Sequence, residues 1–391
     1  MHAAAIRQSW SSLPPVRVAV VGLGYWGRKL ARRYQQLAGA ELIGICDHDT
    51  HALARSAAVH GAVPAVEHLA DLLSLKPDLV VVATEPATHV HVAREALQAG
   101  CAVFVEKPVT TTVEDIEELQ ALAHRAQRPL LGSALWSWDA TVDALAQLIA
   151  DGEIGQVLRI EGARQNLGCL KPGHDVIDDL MPHDLQILRR ITGRSPDRLQ
   201  AWGSRLARTA ALDTATVRME WKDGPEAELR LSWVAPEKVR RMTIVGTEGM
   251  AVLAPLDTAT PLRVLRATPA DAARPEPATV QDIWLPPIAS DRTEPLLAQC
   301  EETLRCVRGA TPRLSIRAHR EVAAALEAAR RSVAHHGQLV EIDIEDHSDR
   351  ASRSERRAPG ALPEVEANAA ARLRAKPAPE TGYGACQQES K

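Results

Sequence analysis

An α/β chain is the architecture this sequence predicts: a doubly wound parallel sheet first, then a second α+β domain with an open, largely antiparallel sheet. Three observations predict it. Solid apolar runs alternate with helical patterns up to about residue 138, and a glycine-rich turn separates the first run from the first helix. Beyond about residue 151, strand patterns follow one another with few helices between them. Strands buried on both faces read as unbroken apolar runs, whereas consecutive strands joined by turns pair antiparallel.

The elements follow in order. Val16 to Val21 is a short buried strand, followed by Gly22-Leu23-Gly24-Tyr25-Trp26-Gly27 and a helix to about Leu37. Glu41 to Cys46 is a second strand ending at Asp47, with helices expected from Thr50 to His60 and from Glu67 to Leu73. Asp78 to Ala83 is a Val-rich strand that Thr84-Glu85-Pro86 breaks, and a helix runs from Thr88 to Ala99. Cys101 to Val105 and Pro129 to Gly132 are strands flanking a helix from Val113 to Arg125. After a helix over Ala140 to Asp151, strands are expected at Val157–Arg164, Arg198–Ser204, Ala215–Trp221, Ala227–Trp233, Arg240–Val245 and Met250–Leu253. One helix interrupts them near Pro182 to Ile191. Helices at Pro295–Arg308 and Ala318–His335 and a strand at Leu339–Ile344 close the fold. The chain thus divides into an N-terminal extension (1–14), a first domain (15–138), a second domain (139–345) and a tail (346–391) rich in Arg, Glu, Ala and Pro, read as disordered.

Composition narrows the function. The 391 residues are 45% hydrophobic and 25% charged, as in a soluble globular protein of two domains. A net charge of −4 and 3% aromatics argue for neither a nucleic-acid nor a membrane partner. Six dispersed cysteines without C-x-x-C spacing, no apolar leader and no long apolar window point to a reduced, cytoplasmic protein.

The spacing G-x-G-x-x-G between a strand and a helix has a mechanical meaning. Gly22 permits the tight turn, Gly24 lets the backbone approach a pyrophosphate, and Gly27 lets helix and strand pack; the helix N-terminus offers its free N–H groups to the phosphates. Tyr25 and Trp26 lie inside the turn and are expected at the cofactor. Asp47 closes the second strand, where a carboxylate accepts from the ribose hydroxyls and repels a 2′-phosphate. No Arg stands beside it, so NAD is expected over NADP.

Glu106-Lys107-Pro108 follows the strand Cys101 to Val105, so Lys107 sits at a carboxyl end, where such sheets bind ligands. A surface strand end is the bland alternative. Asp179 and His183 are four residues apart, and Pro182 suits the first turn of a helix beginning there. An imidazole at such a helix start, with carboxylates nearby, can act as a general base. Equally, Asp179 can cap the helix and His183 merely cover its first turn. His89-Val90-His91 is not a metal pair and no Cys or carboxylate cluster completes a site, so no metal is expected.

Together these motifs resemble the Gfo/Idh/MocA family of nicotinamide-dependent sugar and inositol dehydrogenases. The resemblance rests on Gly22 to Gly27, Ala83-Thr84-Glu85-Pro86-Ala87-Thr88-His89, Glu106-Lys107-Pro108, Asp179-Leu180-Met181-Pro182-His183-Asp184 and the glycines of Val245-Gly246-Thr247-Glu248-Gly249. It extends from about Val16 to Ile344. It implies an N-terminal Rossmann domain and a C-terminal domain whose sheet faces the substrate and supports a homo-oligomer, dimer or tetramer. It also implies that Lys107 is the active-site lysine, that Asp179 and His183 are its Asp-x-x-x-His pair, and that Thr84, Pro86 and His89 lie along the cofactor, with Glu106 near it. Removing a hydroxyl proton while hydride leaves carbon suits His183 as base, with Lys107 stabilising the alkoxide; Lys107 as base remains open.

Arg164-Gln165-Asn166-Leu167-Gly168 with the Asp179 element is similar to members that oxidise nucleotide sugars, often at C3. Arg164, Asn166 and Lys171 are then candidates for hydroxyls or a diphosphate, or else solvated loop residues. Trp136 and Trp138 can stack on a sugar or belong to the core. The expected activity is NAD-dependent oxidation of a ring hydroxyl of a nucleotide sugar such as UDP-N-acetylglucosamine. An inositol, aminocyclitol or free-sugar dehydrogenase, a ketoreductase, and a non-catalytic NAD-binding sensor are the alternatives.

Overall fold

The computed structural model describes residues 13–168, 175–207, 210–268, 279–284 and 294–343. The expectations for Lys171, for most of the N-terminal extension and for the tail lie outside these residues.

Six parallel strands form the first sheet: β1 (Val16–Val21), β2 (Ala40–Cys46), β3 (Ala65–Val66), β4 (Leu79–Val82), β5 (Ala102–Val105) and β6 (Leu130–Gly132), ordered β3-β2-β1-β4-β5-β6. The order reverses between β1 and β4, which opens a crevice at their carboxyl ends. β1 feeds two cores. Val18 and Val20 join Leu42, Ile45, Val81 and Phe104 under one face, while Ala19 and Val21 join Val80, Val82, Val103 and Val105 under the other. A strand buried on both faces has no polar side, which is why the sequence runs are solid.

Helices α1 (Tyr25–Gln36), α2 (Thr50–His60), α3 (Leu69–Ser74), α4 (Pro86–Gln98) and α5 (Val113–Ala126) connect these strands. The side chains of Asp49 and Thr112 cap α2 and α5. By contrast α1 starts from Gly24 and α4 from Glu85 with no side-chain cap, so both leave backbone N–H groups free at the crevice.

A short 3₁₀ turn (Leu135–Trp138) and α6 (Ala140–Ala150) lead to the second sheet. Its strands are β7 (Val157–Leu167), β8 (Arg198–Ser204), β9 (Thr214–Glu220), β10 (Glu226–Ser232), β11 (Val234–Gly246), β12 (Gly249–Leu253), β13 (Leu262–Thr268), β14 (Thr279–Trp284) and β15 (Val340–Glu341). The order is β14-β13-β12-β11-β7-β10-β9-β8-β15, antiparallel throughout except for the parallel β7–β10 pair. Strand β11 starts six residues earlier than its alternation suggests, because a register shift between Val234 and Val239 takes up Pro236. β13 and β14 were not expected from the sequence.

Between β7 and β8 lies α7 (Val176–Thr192), which packs Ile177, Leu180, Met181 and Leu188 on the inner face of this sheet against Leu199, Val217, Leu229 and Ile244. Ion pairs between Arg159, Arg218, Glu220, Glu226 and Glu228 cover the outer face. Helix α8 (Pro295–Val307) returns to the first sheet, where Leu296, Cys300 and Leu304 complete one core. Helix α9 (Ile316–Ala334) serves both: Ala323 packs under the first sheet and Ala324, Ala325, Ala328 and Ala329 under the second. The change expected near residue 138 is therefore a change of sheet, with α9 shared between the cores.

Candidate active site

The glycine-rich turn and the β4–α4 turn meet at the crevice. Gly22 has φ +88°, and a Cβ there would lie 2.5 Å from the backbone N of Thr84. A Cβ at Gly27 would strike the Gly22 carbonyl. At Gly24 a Cβ would meet nothing within 4 Å, so that position faces open space beside the uncapped start of α1. This is the arrangement a pyrophosphate needs: a tight turn, a bare approach and free N–H donors. Asp47 ties the turn to the end of β2 by accepting from the Leu23 N–H at 2.6 Å through Oδ2, and its Oδ1 accepts from the Asp49 N–H at 2.9 Å. Each carboxylate oxygen retains a lone pair, so the residues present fit an adenosine ribose.

Tyr25 is exposed and its hydroxyl accepts from Lys29 Nζ at 2.8 Å, which lowers the phenol pKa. Its ring meets Trp26 edge to face. Thr84 accepts a 2.8 Å hydrogen bond from the Thr88 hydroxyl, and Pro86 opens α4. His89 is buried, with Nδ1 2.9 Å from the Pro108 carbonyl and Nε2 3.1 Å from that of Thr84. Both ring nitrogens therefore face backbone carbonyls, and His89 braces the two turns of the crevice from beneath.

The Lys107–Pro108 bond is cis. Lys107 Nζ donates to the Asp179 carboxylate (Oδ1, 2.6 Å) and to its carbonyl (2.8 Å). Glu106, beside it, is buried, and that burial raises its pKa. The helix that carries Asp179 starts at Val176, not near Pro182. Asp175 caps it by accepting from the N–H groups of Ile177 and Asp178, so Asp179 is not the cap and Pro182 lies inside. An interior proline supplies no N–H to the carbonyl four residues back. For Pro182 that carbonyl is the one of Asp178, and Lys107 donates to the next carbonyl along, that of Asp179.

One helical turn after Asp179, His183 reaches a small cleft lined also by Trp26, Glu106, Lys107, Leu135 and Gln186. The glycine-rich turn, the β5 strand end and α7 thus converge on one space. Burial first, then the charges of Lys107, Arg164 and Arg240, hold the His183 imidazole well below its ordinary value of 6.5. It is neutral at neutral pH and able to take a proton.

Residues 16–132 match the family model described as an oxidoreductase family with an NAD-binding Rossmann fold, and residues 142–252 match the GFO/IDH/MocA C-terminal domain. The chain is 35% identical to UDP-N-acetylglucosamine 3-dehydrogenase of Acidithiobacillus ferrooxidans over 59% of its own length and 71% of that protein's. The chain belongs to the Gfo/Idh/MocA family. Two solved structures of this fold are similar to it. That of GenD2 from gentamicin A biosynthesis in complex with NAD gives a TM-score of 0.72 at 26% identity, covering 85% of this chain and 97% of that one. That of GnnA, the Acidithiobacillus ferrooxidans dehydrogenase, gives 0.67 at 27% identity, covering 83% and 99%. As a Gfo/Idh/MocA member the chain is an NAD-dependent oxidoreductase, from a family of sugar and nucleotide-sugar dehydrogenases.

Against this Gfo/Idh/MocA frame, four of the residues expected at the substrate have partners within the chain. Arg164 is buried and donates to Asp184 Oδ1 through Nε (2.9 Å) and Nη2 (2.6 Å). Its guanidinium lies 5.0 Å from the Trp136 ring centroid, and Trp136 packs against the second core. Trp138 likewise carries the Arg313 guanidinium, 4.9 Å from its centroid. These arginines and tryptophans satisfy one another, because a buried cation needs a carboxylate and an aromatic face is a favourable neighbour. Asn166 accepts from Arg240 Nη2 at 2.6 Å. Among the described residues no group of three or more His, Cys, Asp and Glu could hold a metal, and no helix is long and apolar enough to cross a membrane.

Two residues at the site were not singled out from the sequence. Trp233 donates to Asp179, and Arg240 lies beside Asn166. For Arg240 a signal existed: it alternates with Met242 and Ile244, which face inward. For Trp233, on the apolar side of an alternating strand pattern, nothing distinguished a hydrogen-bonding indole from core.

Proposed function

We propose that the chain oxidises a secondary ring hydroxyl, at C3, of a nucleotide sugar such as UDP-N-acetylglucosamine to the ketone, with NAD as acceptor. The observation that carries this reading is the convergence of Lys107, His183 and Trp26 of the glycine-rich turn on one cleft. Bound NAD supplies the acceptor for the hydride that leaves the carbinol carbon. Neutral His183 takes the hydroxyl proton on an imidazole nitrogen. Lys107 has two N–H groups on Asp179 and directs its third to the developing alkoxide. Asp179 orients the lysine. Thr84, Pro86 and Glu106 line the nicotinamide side of the crevice, and Asp47 receives the ribose.

The 35% identity to a UDP-N-acetylglucosamine 3-dehydrogenase supports the sugar and the carbon. The free thiols of Cys46, Cys101, Cys300 and Cys306 support a cytoplasmic setting, and the second sheet is the proposed surface of a dimer or tetramer. The test is NADH formation by the full chain with UDP-sugars, inositols and free hexoses. Turnover on UDP-N-acetylglucosamine with a 3-keto product is expected. Turnover confined to inositols or free hexoses replaces the substrate, and no turnover on any of them favours a sensor.

A further inference from the structure

Arg240 of β11 lies directly opposite Arg164 of β7. Residues so paired in an antiparallel ladder share a face at close range, and like charges there repel. Arg164 is neutralised by Asp184. Arg240 is not: its three bonds go to neutral oxygens, those of the Gln165 and Val239 carbonyls (2.9 and 2.8 Å) and of the Asn166 amide (2.6 Å). A guanidinium has five N–H donors. Nε–H and the second Nη2–H of Arg240 thus have no acceptor among the described residues, and no carboxylate among them pairs with it.

The ion pairs of the site leave this cation without one of its own, the remaining buried carboxylate, Glu106, lying beside Lys107. Asp179 meets Lys107 and Asp184 meets Arg164, while Arg240 meets no third carboxylate. Burial and the facing Arg164 bring its pKa from 12.5 down to about 10, so it stays charged at neutral pH in a setting that favours an added anion. Its cross-strand neighbour Arg164 bonds Asp184, the residue that follows His183, which puts Arg240 on the side of the second sheet that carries His183.

We propose that Arg240, steadied by Asn166, is the recognition point for an anionic group of the substrate, either the diphosphate of a sugar nucleotide or a carboxylate on the ring. This rests on the dehydrogenase reading and deepens it by naming the residue that would meet the substrate's anionic group. It also moves the anion-binding role from Arg164, which Asp184 already neutralises.

The test is binding to the full chain loaded with NADH, using UDP-N-acetylglucosamine, UDP, N-acetylglucosamine and glucuronate as probes, in wild type, Arg240→Gln and Arg240→Lys. Wild type should bind an anionic probe at least about tenfold more tightly than neutral N-acetylglucosamine. Arg240→Gln should weaken that binding about 10- to 100-fold with NADH affinity as the internal control, and Arg240→Lys should restore part of it. Competition by UDP alone assigns the diphosphate; competition by glucuronate alone assigns the carboxylate. Equal affinity of wild type for neutral and anionic probes overturns the proposal without any variant, and so does an Arg240→Gln chain that keeps the preference. Turnover of a sugar with no Arg240 dependence leaves the dehydrogenase reading standing alone. Arg240-dependent UDP binding with no turnover of any sugar leaves the anion site and removes the dehydrogenase.

Discussion

Trp233 donates its indole N–H to Oδ2 of Asp179 at 3.1 Å, while Lys107 Nζ holds Oδ1 of the same carboxylate at 2.6 Å. The carboxylate is fixed from both sides. Trp233 is 2% exposed, and a Cβ at Gly168 would come within 2.9 Å of its ring, so the indole has little freedom. Trp233→Phe keeps most of the volume and removes one hydrogen bond, whose net worth is about 1 kcal/mol. As a positioning residue, its loss should lower kcat about tenfold with NAD affinity unchanged and should alter the pH profile of kcat. Steady-state kinetics across pH checks this; an unaltered kcat and profile would remove Trp233 from the orientation of Asp179.

Lys107→Ala removes the only N–H proposed for the developing alkoxide and the 2.6 Å ion pair that Lys107 makes with Asp179. Turnover should fall by about three orders of magnitude, with NAD affinity changed less than about threefold. Single-turnover rates and NAD titration measure both. Wild-type turnover in the variant would remove Lys107 from the chemistry.

Gly22 and Gly24 should respond differently to alanine. Gly22→Ala places a Cβ against Thr84 N at a φ that disfavours side chains, so it should lower the melting temperature or abolish soluble protein. Gly24→Ala meets no neighbour in the chain, so the melting temperature should hold while NAD affinity drops about tenfold or more. Thermal denaturation with and without NAD separates the two, and equal NAD affinity in Gly24→Ala would contradict the assigned pyrophosphate approach.

Acid should limit activity through His183, and it should lower stability through every histidine that burial holds neutral, His319 among them. His183 must be neutral to accept a proton, and its lowered pKa puts the acid limb of the kcat profile well below 6.5; a limb at or above 6.5 would exclude it as the base. For stability, burial and Arg189 lower the His319 pKa from 6.5 to about 4. The unfolded chain then binds more protons between those values, so the stabilisation is complete above pH 6.5 and is lost as pH falls towards 4. Chemical denaturation of wild type and His319→Gln should show a shallower loss in the variant over that window. Parallel curves would place the acid sensitivity elsewhere.

Much of the fold was legible because its signals are local. The strand at Val16–Val21, the turn to Gly27 and the carboxylate at Asp47 lie within a few dozen residues and declare a dinucleotide crevice by spacing alone. Alternation revealed most of the second sheet, and it failed at β11, where Pro236 imitates a turn and a bulge absorbs it. The start of α7 was misplaced because Pro182 looks like a first-turn proline, although Asp175 offered the better cap.

By itself the sequence determined the two sheet types, the cofactor turn and the identity of Lys107, Asp179 and His183 as candidates, since each depends on residue type and short-range period. Only the tertiary structure decided how they are used. The Lys107–Asp179 bond spans 72 residues, Trp233–Asp179 spans 54 and Arg240–Asn166 spans 74. Over such separations no local pattern says which donor finds which acceptor. Tertiary contacts settle it: Asp184 of α7 neutralises Arg164, the carbonyls of Thr84 and Pro108 meet His89 within the first domain, and Arg240 remains as a cation without a carboxylate partner among the described residues.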